Sequence, residues 1–106
     1  MKYRIVFSQL AIDDLDEIWD YISDALKNPS AAENTVNGIL DKIDLLEAQP
    51  EMGVQLFFDD GLNSGYRYVI YNNYLAFYRI YPDTVYVDRV IYGKRDYMKL
   101  LFDNTI

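Results

Sequence analysis

The sequence predicts an α+β fold: an αα-hairpin packed on a mostly antiparallel four-stranded sheet, closed by a short C-terminal helix. Two observations carry most of this. Between Ser8 and Pro50 run two apolar stripes at helical spacing, parted only by Asn28-Pro29. Between Tyr66 and Tyr92 run three tyrosine-rich segments parted by two-residue turn signals. A short alternating run before the helices adds an N-terminal strand. The order β-α-α-β-β-β-α then stacks a helical layer on one sheet.

Taken in order, "MKYRIVF" alternates Tyr3, Ile5 and Phe7 with Lys2, Arg4 and Val6, which is the period of a strand. Ser8 is placed to cap the first helix. Ala11, Leu15, Ile18, Trp19, Ile22 and Leu26 form its apolar side, and acids fill the rest, several in the opening turns where the helix dipole favours them. Asn28-Pro29 stops it. Ser30 and Glu33 have the spacing of a capping box for a second helix, whose stripe is Ala32, Val36, Ile39, Leu40, Ile43 and Leu46 and whose end is Pro50. So short a connection folds the pair into an antiparallel hairpin.

Residues 51–65 read as a loop, with room for one brief strand at Val54 to Phe58. "YRYVIY", "YLAFYRIY" and "TVYVDRVIY" are strands. Asn72-Asn73 suits a two-residue hairpin loop, because Asn tolerates positive φ; Pro82-Asp83 is a second turn. With both loops at two residues, Tyr71 pairs with Tyr74 and Tyr81 with Thr84. One face then collects Arg67, Val69, Tyr71, Tyr74, Ala76, Tyr78, Ile80, Val85, Val87, Arg89 and Ile91. The other collects Tyr66, Tyr68, Ile70, Leu75, Phe77, Arg79, Tyr81, Tyr86, Asp88, Val90 and Tyr92. Neither is cleanly apolar, so the covered face stays open, and a single bulge near Val90 would move everything after it to the other side. "RDYMKLLF" closes the chain as a short helix.

A chain of 106 residues fits one domain, residues 1–106. With 51% hydrophobic and 25% charged residues it falls outside the disordered class. No apolar run approaches the roughly 20 residues of a membrane span, and "MKYRIVFSQ" lacks a cleavage site, so a cytoplasmic protein with no membrane partner is expected. There is no cysteine, hence no disulfide framework and no zinc–thiolate site; no metal and no cofactor are expected. There is no histidine either, which removes Ser-His-Asp and Cys-His nucleophiles and any imidazole base. Catalysis would have to run on carboxylates, tyrosines, lysines or arginines.

Charge is unevenly placed. Residues 1–51 hold 4 Lys/Arg and 11 Asp/Glu, which accounts for the whole net charge of −7; residues 52–106 hold 6 of each. The cations of the second half are Arg67, Arg79, Arg89, Lys94, Arg95 and Lys99. Arg67 and Arg89 share a face in the register above, as an anion site or as partners of the helix carboxylates. Arg79 and Asp88 share the other face and can pair. Lys94 and Arg95 follow Gly93 at a strand exit, beside the start of a helix. The eight tyrosines from Tyr66 to Tyr92 serve either as sheet packing or as a stacking surface for bases.

The acidic hairpin ending "LEAQPEMG", the strand with Arg67, and "NYLAFYRIYPDTVYVDRVIYGKRDYMKLLF" together resemble the RelE/ParE superfamily of type II toxin–antitoxin toxins over essentially the whole chain. "FYRI", "DRVIYGKRD" and the closing "LL" carry the resemblance. It implies an αα-hairpin on an antiparallel sheet and a cognate antitoxin as partner. It implies one of two actions: RelE-like cleavage of ribosome-bound mRNA, or ParE-like, non-enzymatic poisoning of DNA gyrase. Fold does not choose between them. The RelE strand-exit arginine falls on Arg95, inside the matching "GKR". Its catalytic strand arginine falls on Leu75, its two lysines on Tyr66 and Tyr68, and its last-helix tyrosine on Leu101. Arg67 and Tyr97 are the neighbouring residues able to stand in. The expected working set is therefore Arg95, Arg67 and Tyr97 as catalytic candidates, with Lys94, Arg89 and Lys99 as target-binding cations. The lost RelE residues and the acidic balance tilt the reading towards ParE-like binding, since a ribosome-directed protein is steered by positive potential. A detoxified, binding-only member is the third possibility.

Overall fold

The computed structural model describes residues 2–103; Met1, counted above in the first strand, lies outside them. Strand β1 (Arg4–Phe7) leads into helix α1 (Gln9–Asp20), which runs on as a π turn over Tyr21–Ala25. Helix α2 (Pro29–Asp44) comes next, then two short 3₁₀ turns, Leu45–Glu47 and Pro50–Met52. Strands β2 (Val54–Phe57), β3 (Asn63–Tyr71), β4 (Tyr74–Ile80) and β5 (Thr84–Tyr92) precede helix α3 (Tyr97–Phe102). The brief strand inside residues 51–65 is real, so the sheet has five strands rather than four. Their order is β1-β5-β4-β3-β2, antiparallel except for the parallel pair β1–β5.

The caps obey the chemistry of the termini. Ser8 Oγ accepts from Ala11 N at 3.0 Å, as its position predicts. The second helix starts earlier than the capping-box spacing implies. Asn28 Oδ1 accepts from Ala31 N at 3.1 Å with Pro29 in the first turn, so Asn28 is the cap and Ser30 is already helical. Its α-helical part also ends at Asp44, before Pro50, because the 3₁₀ turn of Leu45–Glu47 tightens the exit. Helix α3 begins at Tyr97, with Asp96 Oδ1 accepting from Lys99 N at 3.2 Å.

The β3–β4 register is the one a two-residue loop requires, with Tyr71 opposite Tyr74 and Asn72 at φ 52°. The β4–β5 ladder shifts by one residue: Tyr78 faces Val87 but Phe77 faces Arg89, leaving Asp88 unopposed. This bulge lies two residues before Val90 and flips the face of the remaining β5 residues. Val90 and Tyr92 therefore join Ala76 and Tyr74, whereas Ile91 joins Leu75. Arg89 leaves the face of Arg67 for the same reason.

With the bulge in place both faces become coherent. One packs Val69, Ala76, Tyr78, Val85, Val87 and Val90 against Ala11, Ile18, Ala32, Ile39 and Ile43 of the helical hairpin. The other packs Leu75, Phe77, Ile91 and Leu56 against Tyr97, Met98, Leu100, Leu101 and Phe102 of α3. Helix α2 comes close to the first face at Gly38, where a Cβ would overlap the Tyr71 ring. Among the described residues no helix is long and apolar enough to cross a membrane.

Candidate functional site

Beyond the end of β1 the outer edge of β5 has no strand neighbour, and Asp14 of α1 takes that place. Its carboxylate accepts from Val90 N at 2.9 Å, from Arg89 Nε at 2.8 Å and from Arg89 Nη2 at 2.9 Å. Asp14 is only 7% exposed. A buried charge in that position is tolerable only when paired and hydrogen-bonded, and here both conditions hold. These bonds raise the Arg89 pKa against the opposing effect of burial. Arg89 is thus the partner of a helix carboxylate, the second of the two roles open to it.

The other paired cation is Arg79, whose Nη2 lies 3.1 Å from Asp88 Oδ1. Its guanidinium sits 5.2 Å from the ring centroid of Tyr66, 5.9 Å from Tyr81 and 5.5 Å from Tyr86. The Tyr66 hydroxyl donates to Asp88 Oδ2. Burial, then that carboxylate, pushes the Tyr66 phenol up to about 12.

The strand-exit corner is held by its backbone. Gly93 N donates to Asn73 O at 2.7 Å, tying the end of β5 to the tip of the β3–β4 hairpin. A Cβ at Gly93 would press on that same carbonyl at 3.2 Å, which is why a glycine suits it. Arg95 N donates to Tyr92 O, and Tyr97 N to Arg95 O, each at 2.9 Å. Lys94, Arg95 and Lys99 are exposed, and none of their side chains has a hydrogen-bond or ion-pair partner among the described residues. Arg95 stands between two open cavities. One, of about 300 Å³, is lined by Asp14, Glu17, Ile18, Tyr21, Tyr74, Val90, Tyr92 and Arg95. The other, of about 360 Å³, is lined by Arg95, Asp96, Lys99, Leu100 and Asp103.

The remaining expected residues lie elsewhere. Arg67 donates through Nη1 to the carbonyls of Glu51 at 3.1 Å and Gly53 at 3.0 Å, beside Tyr78, whose hydroxyl donates to Pro50 O and accepts from Gly53 N. Arg67 lies four residue steps along β3 from Tyr71 at the hairpin end, or about 14 Å of strand. The Tyr97 ring packs on Phe77 with centroids 5.3 Å apart. The structure thus brings Lys94, Arg95 and Lys99 to one corner, and places Arg67, Arg89 and Tyr97 in other surroundings. Tyr21, Tyr74, Tyr92 and Glu17, none of them singled out from the sequence, surround Arg95 instead. Part of that signal was available: Asp14, Glu17, Ile18 and Tyr21 recur at spacings of three and four, and so share one side of α1. Among the described residues no group of three acidic, histidine or cysteine side chains could hold a metal ion.

A helical hairpin on one face of a mostly antiparallel sheet, with a short C-terminal helix on the other, is the architecture of the RelE/ParE superfamily of type II toxin–antitoxin toxins. Within it the chain belongs to the family described as ParE toxin of type II toxin-antitoxin system, parDE, whose model matches residues 5–97. No curated protein matches the sequence. Among solved structures, the chromosomal ParDE system from P. aeruginosa superposes with a TM-score of 0.73 at 19% identity, covering 88% of this chain and 98% of that one. The RelBE2 toxin–antitoxin complex from Mycobacterium tuberculosis gives 0.62 at 21% identity, covering 87% and 92%. At such identities these likenesses are of fold.

Proposed function

We infer that this chain is a growth-inhibiting toxin of the cytoplasm, silenced by a cognate antitoxin, and that when free it acts in the ParE manner, by binding DNA gyrase without cutting a nucleic acid. The observation that carries this reading is the separation of Arg95 from Arg67, its expected catalytic companion on β3. Arg67 is engaged by two backbone carbonyls midway along β3, and the Tyr97 ring, two residues on from Arg95, packs on Phe77. Phosphoryl chemistry needs its acid, base and charge-stabilising groups converging on one atom within hydrogen-bond reach. The corner offers exposed cations without such convergence, which suits a binding surface.

The test is to induce the chain alone in a bacterial host and follow DNA and protein synthesis by pulse-labelling. DNA synthesis is expected to fail first, and purified chain is expected to inhibit gyrase supercoiling. Protein synthesis failing first, with mRNA cut inside codons, would move the chain to the RelE-like endoribonucleases. An unaffected culture would leave a binding-only member of the family.

A further inference from the structure

A gathering of uncommitted polar groups lies on the α1 side of Arg95. Ile18 and Val90 line the 300 Å³ cavity as buried apolar residues. The Asp14 carboxylate beside them is already committed to Arg89 and Val90 N. The walls are different. The hydroxyls of Tyr21, Tyr74 and Tyr92, the Glu17 carboxylate and the Arg95 guanidinium make no hydrogen bond or ion pair among the described residues. Tyr21 is presented by the π turn that ends α1 and is 58% exposed; single π turns of this kind recur at functional sites. Tyrosine and arginine around a cavity with apolar groups at its base are the composition of a protein–protein hot spot.

Charge selects the occupant. Asp13, Asp16 and Asp20 of α1 and Asp24 of its π turn, all exposed, cover the solvent side of this helix next to Glu17. That field repels a phosphate backbone and attracts a basic polypeptide.

We propose that this cavity seats the protein on which the toxin acts. A basic segment of the target inserts one large apolar side chain between Tyr21, Tyr74 and Tyr92. Its flanking lysines or arginines meet Glu17 and the α1 aspartates, and Arg95 holds a carbonyl or carboxylate of the same segment at the rim. This assignment rests on the ParE-like reading above.

Tyr21→Ala and Glu17→Lys test it, both at exposed positions, with Leu62→Ala, 64% exposed and outside the cavity, as control. Each variant is induced alone for survival, and each is purified with the cognate antitoxin to measure complex formation and melting temperature. The expected result is survival raised at least roughly tenfold by either cavity variant, the scale of a lost hot spot, with antitoxin binding, melting temperature and the Leu62→Ala control unchanged. Unaltered toxicity in both cavity variants overturns the assignment. So does retained toxicity with lost antitoxin binding, which would give the cavity to the antitoxin, and so does mRNA cleavage by the parent that either variant abolishes, which would give it to RNA. A parent chain that leaves growth untouched overturns the toxin reading itself, and the cavity then has no target to seat.

Discussion

On the sheet face beneath α1 and α2, Tyr78, Val85 and Val87 are wholly shielded from solvent. On the face beneath α3 the sheet residue Phe77 is wholly shielded too, with Leu56, Leu75 and Ile91 buried beside it, but no residue that α3 itself contributes is fully buried. The contrast comes from length. Two helices of 12 and 16 residues lay continuous apolar stripes across the first face. A helix of 6 residues cannot persist alone and survives on the contacts it makes. The first face should therefore hold the fold, and the second should open at a lower free energy than global unfolding. Arg95 lies where the two meet, next to α1 on one side and to α3 on the other.

The sharpest way to break this contrast is at its seam. Asp14→Ala leaves the partly buried Arg89 without its hydrogen-bonded counter-charge, with Glu17 as the remaining carboxylate acting on it, and Val90 N–H without its acceptor, so about 3 kcal/mol of stability should disappear in urea unfolding. A loss under about 1 kcal/mol would mean the bridge is an ornament of an already stable junction. Next come matched truncations of the two faces. Ile39→Ala beneath the hairpin should cost about 2–5 kcal/mol, and Leu101→Ala in α3 about 1–2 kcal/mol, in proportion to its partial burial. Amide hydrogen exchange should also show α3 opening without α2; equal costs and equal protection would erase the distinction between the faces. Gly38→Ala drives a methyl group into the Tyr71 ring and should cost about 1–3 kcal/mol as overpacking, read as a lowered melting temperature.

The smallest effect belongs to Tyr66. Tyr66→Phe removes its bond to Asp88 and should cost about 1 kcal/mol. Its pH signature is more telling. The folded-state phenol is raised from 10.0 to about 12, first by burial and then by Asp88, so the fold favours the neutral form. That contribution is complete below pH 10 and is lost as pH climbs from 10 to about 12. Tyr66→Phe should flatten that part of the melting-temperature curve, leaving the residual slope to Tyr74 and Tyr78, whose phenols burial also raises. An unchanged curve would show that Asp88 is held by Arg79 alone.

How much of this is legible in the sequence depends on the distance over which each feature is decided. Ser8 is a cap because its hydroxyl reaches an amide three residues on, and the Tyr71–Tyr74 pairing results from a two-residue loop with an asparagine at positive φ. Local spacing misleads at Ser30 because Asn28 with Pro29 after it offers a stronger cap two residues earlier. The candidate site is less legible. Gly93, Lys94 and Arg95 announce a corner, yet its neighbours Glu17 and Tyr21 come from a helix more than 70 positions away in the chain.

By itself, then, the sequence determined the succession of elements, the helical hairpin, the three tyrosine strands and the exposed cations at the strand exit, all set by periodicity, capping and turn chemistry acting within a few residues. The tertiary structure alone decided the rest. The unopposed Asp88 exchanged the faces of Val90 and Ile91 and so made two clean layers out of two mixed ones. Asp14 became the partner of Arg89 because α1 lies against a strand edge that β1 is too short to cover. Whether a charge is buried, paired or left facing a cavity depends on which distant segment comes to rest beside it, and that is a property of packing.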